Sequence, residues 1–192
     1  MKYLFISQIM LACVLATGCQ STTSCQKERG GEMSWRGEMD RLVPLFGHRN
    51  WIMVVDKAFP LQSAPGVTVV DTRSNLPQVL SYVMTTLNAA THVKPIVYTD
   101  QEMAYITEAL APGIEKVRAE IQTVLANAEV QTLPHEAVFK KLDEASRLFQ
   151  VMVLKTDCTL PYTSVFIELD CGYWDAAKEK QLRESMKSEK NK

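Results

Sequence analysis

The residues best suited to chemistry are a histidine and an aspartate that flank one short apolar run. His48 precedes the run and Asp56 closes it. A histidine exchanges protons near neutral pH, and a carboxylate that closes a buried strand must be paired or must meet a polar ligand. The run, residues 51–56, is β-branched at its end and bounded by Gly47 and Pro60, which predicts a buried strand. Asp56 would then stand at the carboxyl end of this strand, where open α/β sheets place their ligands.

Two further positions carry groups that could contact a polar ligand. His135 stands beside Glu136 at the predicted start of a helix, and Tyr162 leads into the last predicted strand. Each candidate also has a simpler explanation. His48 could be a solvated loop side chain and Asp56 a turn or helix cap, while His135 and Glu136 could form a favourable first helical turn and Tyr162 could be a core aromatic. None of these residues is specific by itself.

The elements that would position these residues alternate along the chain. Short apolar runs are followed by helical patterns, which predicts a layered α/β domain with a mainly parallel sheet. Gly47 fits as the C-cap of the first helix and Asn75 as the N-cap of the second. The predicted strands are residues 51–56, 67–71, 96–99, 130–133, 150–155 and 165–169; the predicted helices are residues 33–46, 76–90, 101–110, 114–126 and 134–149.

The two ends of the chain differ in composition from this core. Residues 1–18 carry a basic start and an apolar run ending in small residues, which predicts a cleaved signal peptide. Small residues directly before Cys19 resemble the bacterial lipobox, which implies a lipid on its sulfur and an exported, membrane-anchored lipoprotein. The alternatives are an ordinary signal peptide with an incidental cysteine, or Cys13 as the acceptor. Residues 19–31 are predicted to form a flexible tether, and residues 32–174 the folded domain. Residues 175–192 are predicted to form a charged tail.

Several classes of function lose support from composition and motifs. The net charge is −1 and no basic face stands out, so nucleic acid is not an expected partner. The common nucleotide-binding and hydrolase motifs are missing. No cysteine pair has the spacing of zinc ligands, so a metal site is not expected. Cys158 and Cys171 could form a disulfide in an exported protein or could remain buried or free thiols.

Two segments together resemble a known family. The segment G-H-R-N-W-I-M-V-V-D-K-A-F-P resembles the G-H-x(7)-D-A-x-x-P signature of the ribose pyranase and fucose mutarotase family (RbsD/FucU), with Lys57 inserted after the acid. The segment V-M-V-L-K-T-D-C-T-L-P-Y-T-S-V-F-I resembles the family's closing segment, where P-Y-x-N precedes the final strand. The resemblance spans residues 42–172 and is weak in the middle. It departs at Ser164, which replaces asparagine, and at Asp157, where the family has glycine followed by glutamate.

The resemblance implies a three-layer RbsD-like sandwich and a metal-free, cofactor-free interconversion of sugar ring forms. It places the role of catalytic acid on His48. The expected sugar contacts are Asp56, His135, Tyr162, Thr163 and Ser164. It also implies ring-like oligomers, often decamers, with sites at subunit boundaries. The expected substrate is a free monosaccharide such as ribose or fucose. The alternatives are a non-catalytic sugar-binding lipoprotein with the same fold and a structural or assembly protein.

The geometry of a strand adds an expectation about subunits. At about 3.3 Å per residue, a straight strand would separate the backbones of His48 and Asp56 by roughly 20–26 Å. One small sugar cannot bridge that distance within a chain unless residues 46–50 fold back along the sheet. The sequence therefore predicts a site shared between subunits. The alternative is a monomer with a bent His48 loop.

Overall fold

A computed structural model describes residues 34–189 of the chain. The predicted signal peptide, the proposed lipid acceptor Cys19 and the predicted tether lie outside the described residues. Among residues 34–189, no helix is long and apolar enough to cross a membrane.

The domain is built on a six-stranded sheet with the spatial order β2-β5-β1-β6-β3-β4. β1 pairs in parallel with β5, which pairs in parallel with β2, and β3 pairs in parallel with β4. β6 is antiparallel to both of its neighbours, β1 and β3. The prediction of a mainly parallel central sheet is therefore confirmed. The strands are β1 (Trp51–Val55), β2 (Val67–Asp71), β3 (Val93–Asp100), β4 (Val130–Leu133), β5 (Val151–Lys155) and β6 (Val165–Cys171).

Helices cover both faces of this sheet, which makes three layers. One face packs against residues of the first three helices, and the other packs against the fourth. The fifth helix is mostly exposed. The helices are α1 (Trp35–Leu42), α2 (Leu76–Ala89), α3 (Ile114–Val124), α4 (His135–Ser146) and α5 (Ala176–Glu189).

The apolar run that the sequence singles out is β1, near the centre of the sheet. Its five residues are all buried. Ile52 and Val54 face the α1–α3 side, whereas Trp51, Met53 and Val55 face α4. Because successive side chains point to opposite faces, a strand covered on both faces must be apolar at every position. This double burial explains why the sequence shows a continuous run and no alternation.

Of the two predicted helix caps, one is wrong and one is confirmed. Gly47 is not the C-cap of the first helix. α1 ends at Leu42 and continues as a short 3-10 turn, Val43–Leu45, because Pro44 lacks the N–H that another helical turn requires. Asn75 does cap α2, since its side chain accepts a hydrogen bond from the Gln78 N–H at 3.0 Å.

The helix predicted for residues 101–110 is also wrong. A 3-10 helix covers only Gln101–Tyr105, after which Ile106 is extended. The guanidinium of Arg118, on α3, donates to the carbonyl oxygens of Met103 and Ile106. Because the Arg118 side chain donates hydrogen bonds to these carbonyl oxygens, they do not need the N–H groups of a further helical turn as partners.

Candidate functional site

The polar residues gather at one edge of the sheet because of its topology. Parallel strands end at the same edge, and the antiparallel β6 begins there. Asp56 follows β1, Asp100 ends β3, His135 begins α4 immediately after β4, and Ser164 precedes β6. β1, β6, β3 and β4 are consecutive neighbours in the sheet. We refer to these four residues and Tyr162 as the carboxyl-edge cluster.

Asp56 and Ser164 form one polar unit of this cluster. The Ser164 hydroxyl donates to Asp56 Oδ2 at 2.9 Å, and the Asp56 N–H donates to Ser164 Oγ at 3.2 Å. The other carboxylate oxygen, Oδ1, accepts from the Ala58 N–H at 2.9 Å. Since both oxygens are hydrogen-bonded, the carboxylate is fixed in orientation at the strand end while remaining partly exposed. A carboxylate held in this way can accept further hydrogen bonds from a polyhydroxylated ligand.

Asp100 and His135 form the second unit. His135 Nδ1 lies 2.9 Å from Asp100 Oδ2, and the Asp100 side chain is fully buried while that of His135 is 35% exposed. The backbone N–H of His135 contacts both carboxylate oxygens of Glu102, at 3.1 and 3.2 Å. Asp100 Oδ1 is buried and has no hydrogen-bond partner among the described residues. A buried carboxylate on one ring nitrogen leaves the other nitrogen, Nε2, free to meet a ligand.

The electrostatic state of Asp100 follows from its burial. Desolvation raises the pKa of the Asp100 carboxyl above its ordinary value, and the hydrogen bond from His135 opposes this. The nearby carboxylates of Glu102 and Asp56 raise the pKa further. Asp100 therefore holds a proton more readily than an exposed aspartate does. A buried acid of raised pKa beside an imidazole is typical of sites that transfer protons, although structural networks produce such shifts too.

Aromatic rings line the cluster on the α4 side. The ring of Tyr162 meets His135 edge-on, with centroids 5.2 Å apart, and Phe139 lies 4.6 Å from His135 on the same helix. Phe59 stacks on Phe139 at 5.6 Å. Tyr162 has a φ of 56°, in the left-handed region that a bulky residue seldom adopts. This backbone conformation orients the Tyr162 ring beside His135, and its side chain remains partly exposed.

Thr163 lies next to the cluster, but its hydroxyl is used elsewhere. Thr163 is fully buried, and Oγ1 donates to the carbonyl of Leu160 at 2.9 Å. The same oxygen lies 3.4 Å from the Cys158 sulfur. The hydroxyl therefore stabilises the loop before β6, and the Tyr162 and Ser164 side chains are the ones near the other polar residues.

His48 lies at the opposite end of the sheet from the cluster. Its loop precedes β1 and is held against the end of β6, because the Arg49 N–H donates to the Leu169 carbonyl at 2.7 Å. His48 Nδ1 lies 3.6 Å from Asp170 Oδ1, with both side chains about half exposed (52% and 48%). The loop thus does not fold back toward Asp56. Within one chain, His48 and the carboxyl-edge cluster are separated by the length of β1.

The two thiols among the described residues do not form a disulfide. Cys158 and Cys171 are both free. Cys158 lies in the loop after β5, and Cys171 ends β6 at the far side of the sheet, so the pairing that the sequence left open does not occur. Within residues 34–189 there is no group of three or more His, Cys, Asp or Glu side chains that could hold a metal ion.

Asp100 is the residue that sequence reasoning missed. The sequence shows it closing an apolar run, just as Asp56 does. What the sequence lacks is its partner, because His135 is 35 positions away and the two meet only through the pairing of β3 with β4. The Ser164–Asp56 bond joins residues 108 positions apart in the same way.

Comparisons with known proteins bear on the fold. No protein-family model matches the sequence, and no characterised protein matches it by sequence. The structure is similar to RbsD from Bacillus subtilis, solved with D-ribose, at a TM-score of 0.50 and 15% identity, covering 69% of this chain and 91% of that one. It is also similar to the fucose mutarotase from Streptococcus pneumoniae, solved with L-fucose, at a TM-score of 0.47 and 14% identity, with coverage of 69% and 91%. The predicted three-layer, RbsD-like α/β fold is therefore confirmed for the domain.

Proposed function

We propose that this protein interconverts the ring forms of a free monosaccharide such as ribose or fucose, without a cofactor. Opening a cyclic hemiacetal requires removal of a proton from the anomeric hydroxyl and delivery of a proton to the ring oxygen. Positioned acid and base groups each contribute about 10²–10⁴-fold to such a step. The carboxyl-edge cluster offers hydrogen-bonding groups for sugar hydroxyls in Asp56, Tyr162 and Ser164, and a proton-transfer group in His135.

The observation that carries this proposal is the Asp100–His135 pair. A fully buried carboxylate lies 2.9 Å from one imidazole nitrogen, while the ring stays partly exposed beside Tyr162. Asp100 is then a positioning residue that fixes the orientation of the His135 ring. The motif resemblance assigns the complementary role of acid to His48.

We further propose that the working site is shared between subunits of a ring-like homo-oligomer, with a decamer as one expected size. His48 and the cluster lie at opposite ends of one chain, and the His48 loop is tied to β6. A neighbouring chain that brings its His48 to the cluster satisfies the distance requirement. A closed symmetric assembly repeats one such contact for every subunit.

The test of function measures anomer and ring-form exchange. The measurement is saturation-transfer NMR on the purified full-length chain with a panel of free monosaccharides. We expect saturable binding and accelerated exchange for at least one sugar. Protein that neither binds nor accelerates exchange of any pentose or hexose in the panel would contradict the proposal.

The test of sharing uses two inactive variants. His48→Ala and Asp56→Ala would each lack one half of the site, and mixing them should restore part of the activity because some mixed sites keep both residues. Light scattering should find an oligomer over the same concentration range. A monomer that shows no restoration on mixing would exclude the shared site.

A non-catalytic sugar-binding protein is the second candidate, and one contact favours it. Ser164 stands where the related motif has asparagine, and its hydroxyl is already donated to Asp56. The same NMR experiment separates the two functions, because a binding protein would show saturation transfer without accelerated exchange.

We also propose that the protein is an exported bacterial lipoprotein anchored to a membrane through Cys19. The support is the sequence of the first 19 residues alone. A Cys19→Ala variant should lose acyl labelling and membrane association, since stable anchoring depends on attached acyl chains. Unchanged labelling of that variant would overturn the assignment.

A further inference from the structure

A cavity lies on the face of the sheet opposite α4. It has a volume of about 330 Å³ and is enclosed by α3, the 3-10 helix after β3, and strand β4. Its polar wall includes Thr99, Thr132 and Gln122, and its apolar wall includes Ile121 and Leu125. This volume is at the lower end of the range for sites that bind small molecules.

Arg118 contributes the charge to this cavity. Its Nη2 is bonded to the Met103 and Ile106 carbonyls, and its Nε is buried without a hydrogen-bond partner among the described residues. Within residues 34–189, no carboxylate lies within 4.0 Å of the guanidinium. A partly buried cation whose neighbours are carbonyls and apolar side chains is costly unless an anion compensates for it.

Asp100 also borders the cavity, but its carboxylate does not neutralise Arg118. Successive residues of β3 face opposite sides of the sheet, so Asp100 shares its side with Tyr98, which packs with the α4 residues. Asp100 Oδ2 is bonded to His135, which belongs to α4. The polar side chains of the cavity wall, Thr99, Thr132 and Gln122, can therefore donate hydrogen bonds, and none of them carries a negative charge.

We propose that this cavity binds a small monocarboxylate with a short aliphatic chain. The carboxylate would lie against Arg118, within reach of the hydroxyl and amide donors, and the chain would lie against Ile121 and Leu125. A planar guanidinium matches the geometry of a carboxylate. The inference goes beyond the sugar chemistry and does not depend on it, because the proposed carboxylate contact is Arg118, which is not part of the carboxyl-edge cluster.

The probe for this site is pentanoate, with 1-pentanol as its uncharged counterpart. Amide chemical shifts of the full-length protein report binding, read at Thr132 and Gln122. Pentanoate should produce saturable shifts at both positions. Pentanol should bind at least about tenfold more weakly, because it keeps the aliphatic chain and loses the charge that Arg118 would meet.

The matched variants are two alanine-to-tryptophan changes at exposed positions. Ala104 lines the cavity, whereas Ala126 lies beyond the end of α3 and outside the lining. Ala104→Trp should weaken pentanoate binding at least tenfold, and Ala126→Trp should leave it unchanged. The comparison of pentanoate with pentanol on the unaltered protein decides the matter if Ala104→Trp does not fold. Equal binding of the two probes would show that Arg118 does not recognise the carboxylate, and no saturable shift with pentanoate would show that the cavity does not bind it; either result would overturn the proposal.

Discussion

Two histidine–aspartate pairs lie at opposite ends of the same sheet, and they differ in almost every physical respect. The Asp100–His135 pair has a separation of 2.9 Å and a fully buried carboxylate. The Asp170–His48 pair has a separation of 3.6 Å, and both side chains are about half exposed. Water and salt screen the second pair, whereas the first is held by the packing around it.

This difference indicates what each pair can do. A buried pair is organised before a ligand arrives, so its ring needs no reorientation during a reaction. An exposed pair is weakly held, and its histidine can turn toward a second molecule at little cost. The proposed division follows: His135 belongs to a site built within one chain, and His48 is a group that one chain presents to the next.

The largest expected effect comes from removing the His135 ring. His135→Ala should slow ring-form exchange by about 10²-fold or more, because the proposed proton-transfer group is lost. Saturation-transfer NMR measures the rate, and circular dichroism checks the fold. Glu136→Ala, at the exposed neighbouring position, is the matched control and should retain activity. If His135→Ala exchanges at the normal rate, the buried pair is structural and the comparison loses its functional meaning.

The next effect concerns Asp56. Asp56→Asn keeps the shape of the side chain and removes its charge, so sugar binding should weaken by about 1.5–3 kcal/mol, the range for hydrogen bonds to charged groups. Calorimetry with the sugar identified by NMR measures the change. Equal affinity would show that the Ser164 and Ala58 contacts, and no ligand contact, account for this carboxylate.

The sequence was sufficient for the fold and for the positions of several polar residues at the strand ends. Alternating apolar runs and helical patterns predict the layered sheet, because burial of β1 on both faces is visible as an unbroken apolar run. Polar residues at the strand ends predict a candidate ligand site at that edge of the sheet. The helix expected for residues 101–110 was wrong because a long-range contact, Arg118 with the Met103 and Ile106 carbonyls, decides the conformation there.

The partners within the site could not be predicted for a related reason. Which strand ends meet depends on sheet order, and the order β1-β6-β3-β4 is not the order along the chain. Asp100 therefore looked like any other acid after a strand. Its burial, its bond to His135 and its raised pKa are all consequences of tertiary packing.

The raised pKa of Asp100 predicts a pH dependence of stability. In the folded protein, burial makes Asp100 bind its proton more tightly than it does in the unfolded chain. His135 opposes this increase in the pKa, whereas the negative charges of Glu102 and Asp56 add to it. The contribution of Asp100 to the free energy of unfolding is therefore fully present below the ordinary aspartate pKa of 3.8 and falls as pH rises through the folded value. Urea unfolding should show the wild type losing stability relative to Asp100→Asn as pH rises from 3.8.

Asp71, at the end of β2, supplies a control of opposite sign. Slight burial opposes the shift, but the Arg73 N–H and the Lys57 ammonium together lower the pKa of Asp71. The wild type should therefore gain stability relative to Asp71→Asn as pH rises through the folded pKa toward the ordinary value. Parallel pH curves for the two variants would show that burial does not distinguish Asp100 from the other acids of this edge.

The smallest expected effect is at the exposed pair. Asp170→Asn removes the negative charge beside His48 but keeps an oxygen that can accept from the Cys171 N–H, which Asp170 Oδ1 does at 2.8 Å. Exposed ion pairs contribute about 0–1 kcal/mol, so the free energy of unfolding should change by no more than this amount, and less at high salt. Urea denaturation at low and high salt measures both. A loss of about 2 kcal/mol or more that persists at high salt would show that His48 is held as firmly as His135. In that event His48 would not be free to reach a second chain, and a site shared between subunits would lose its physical basis.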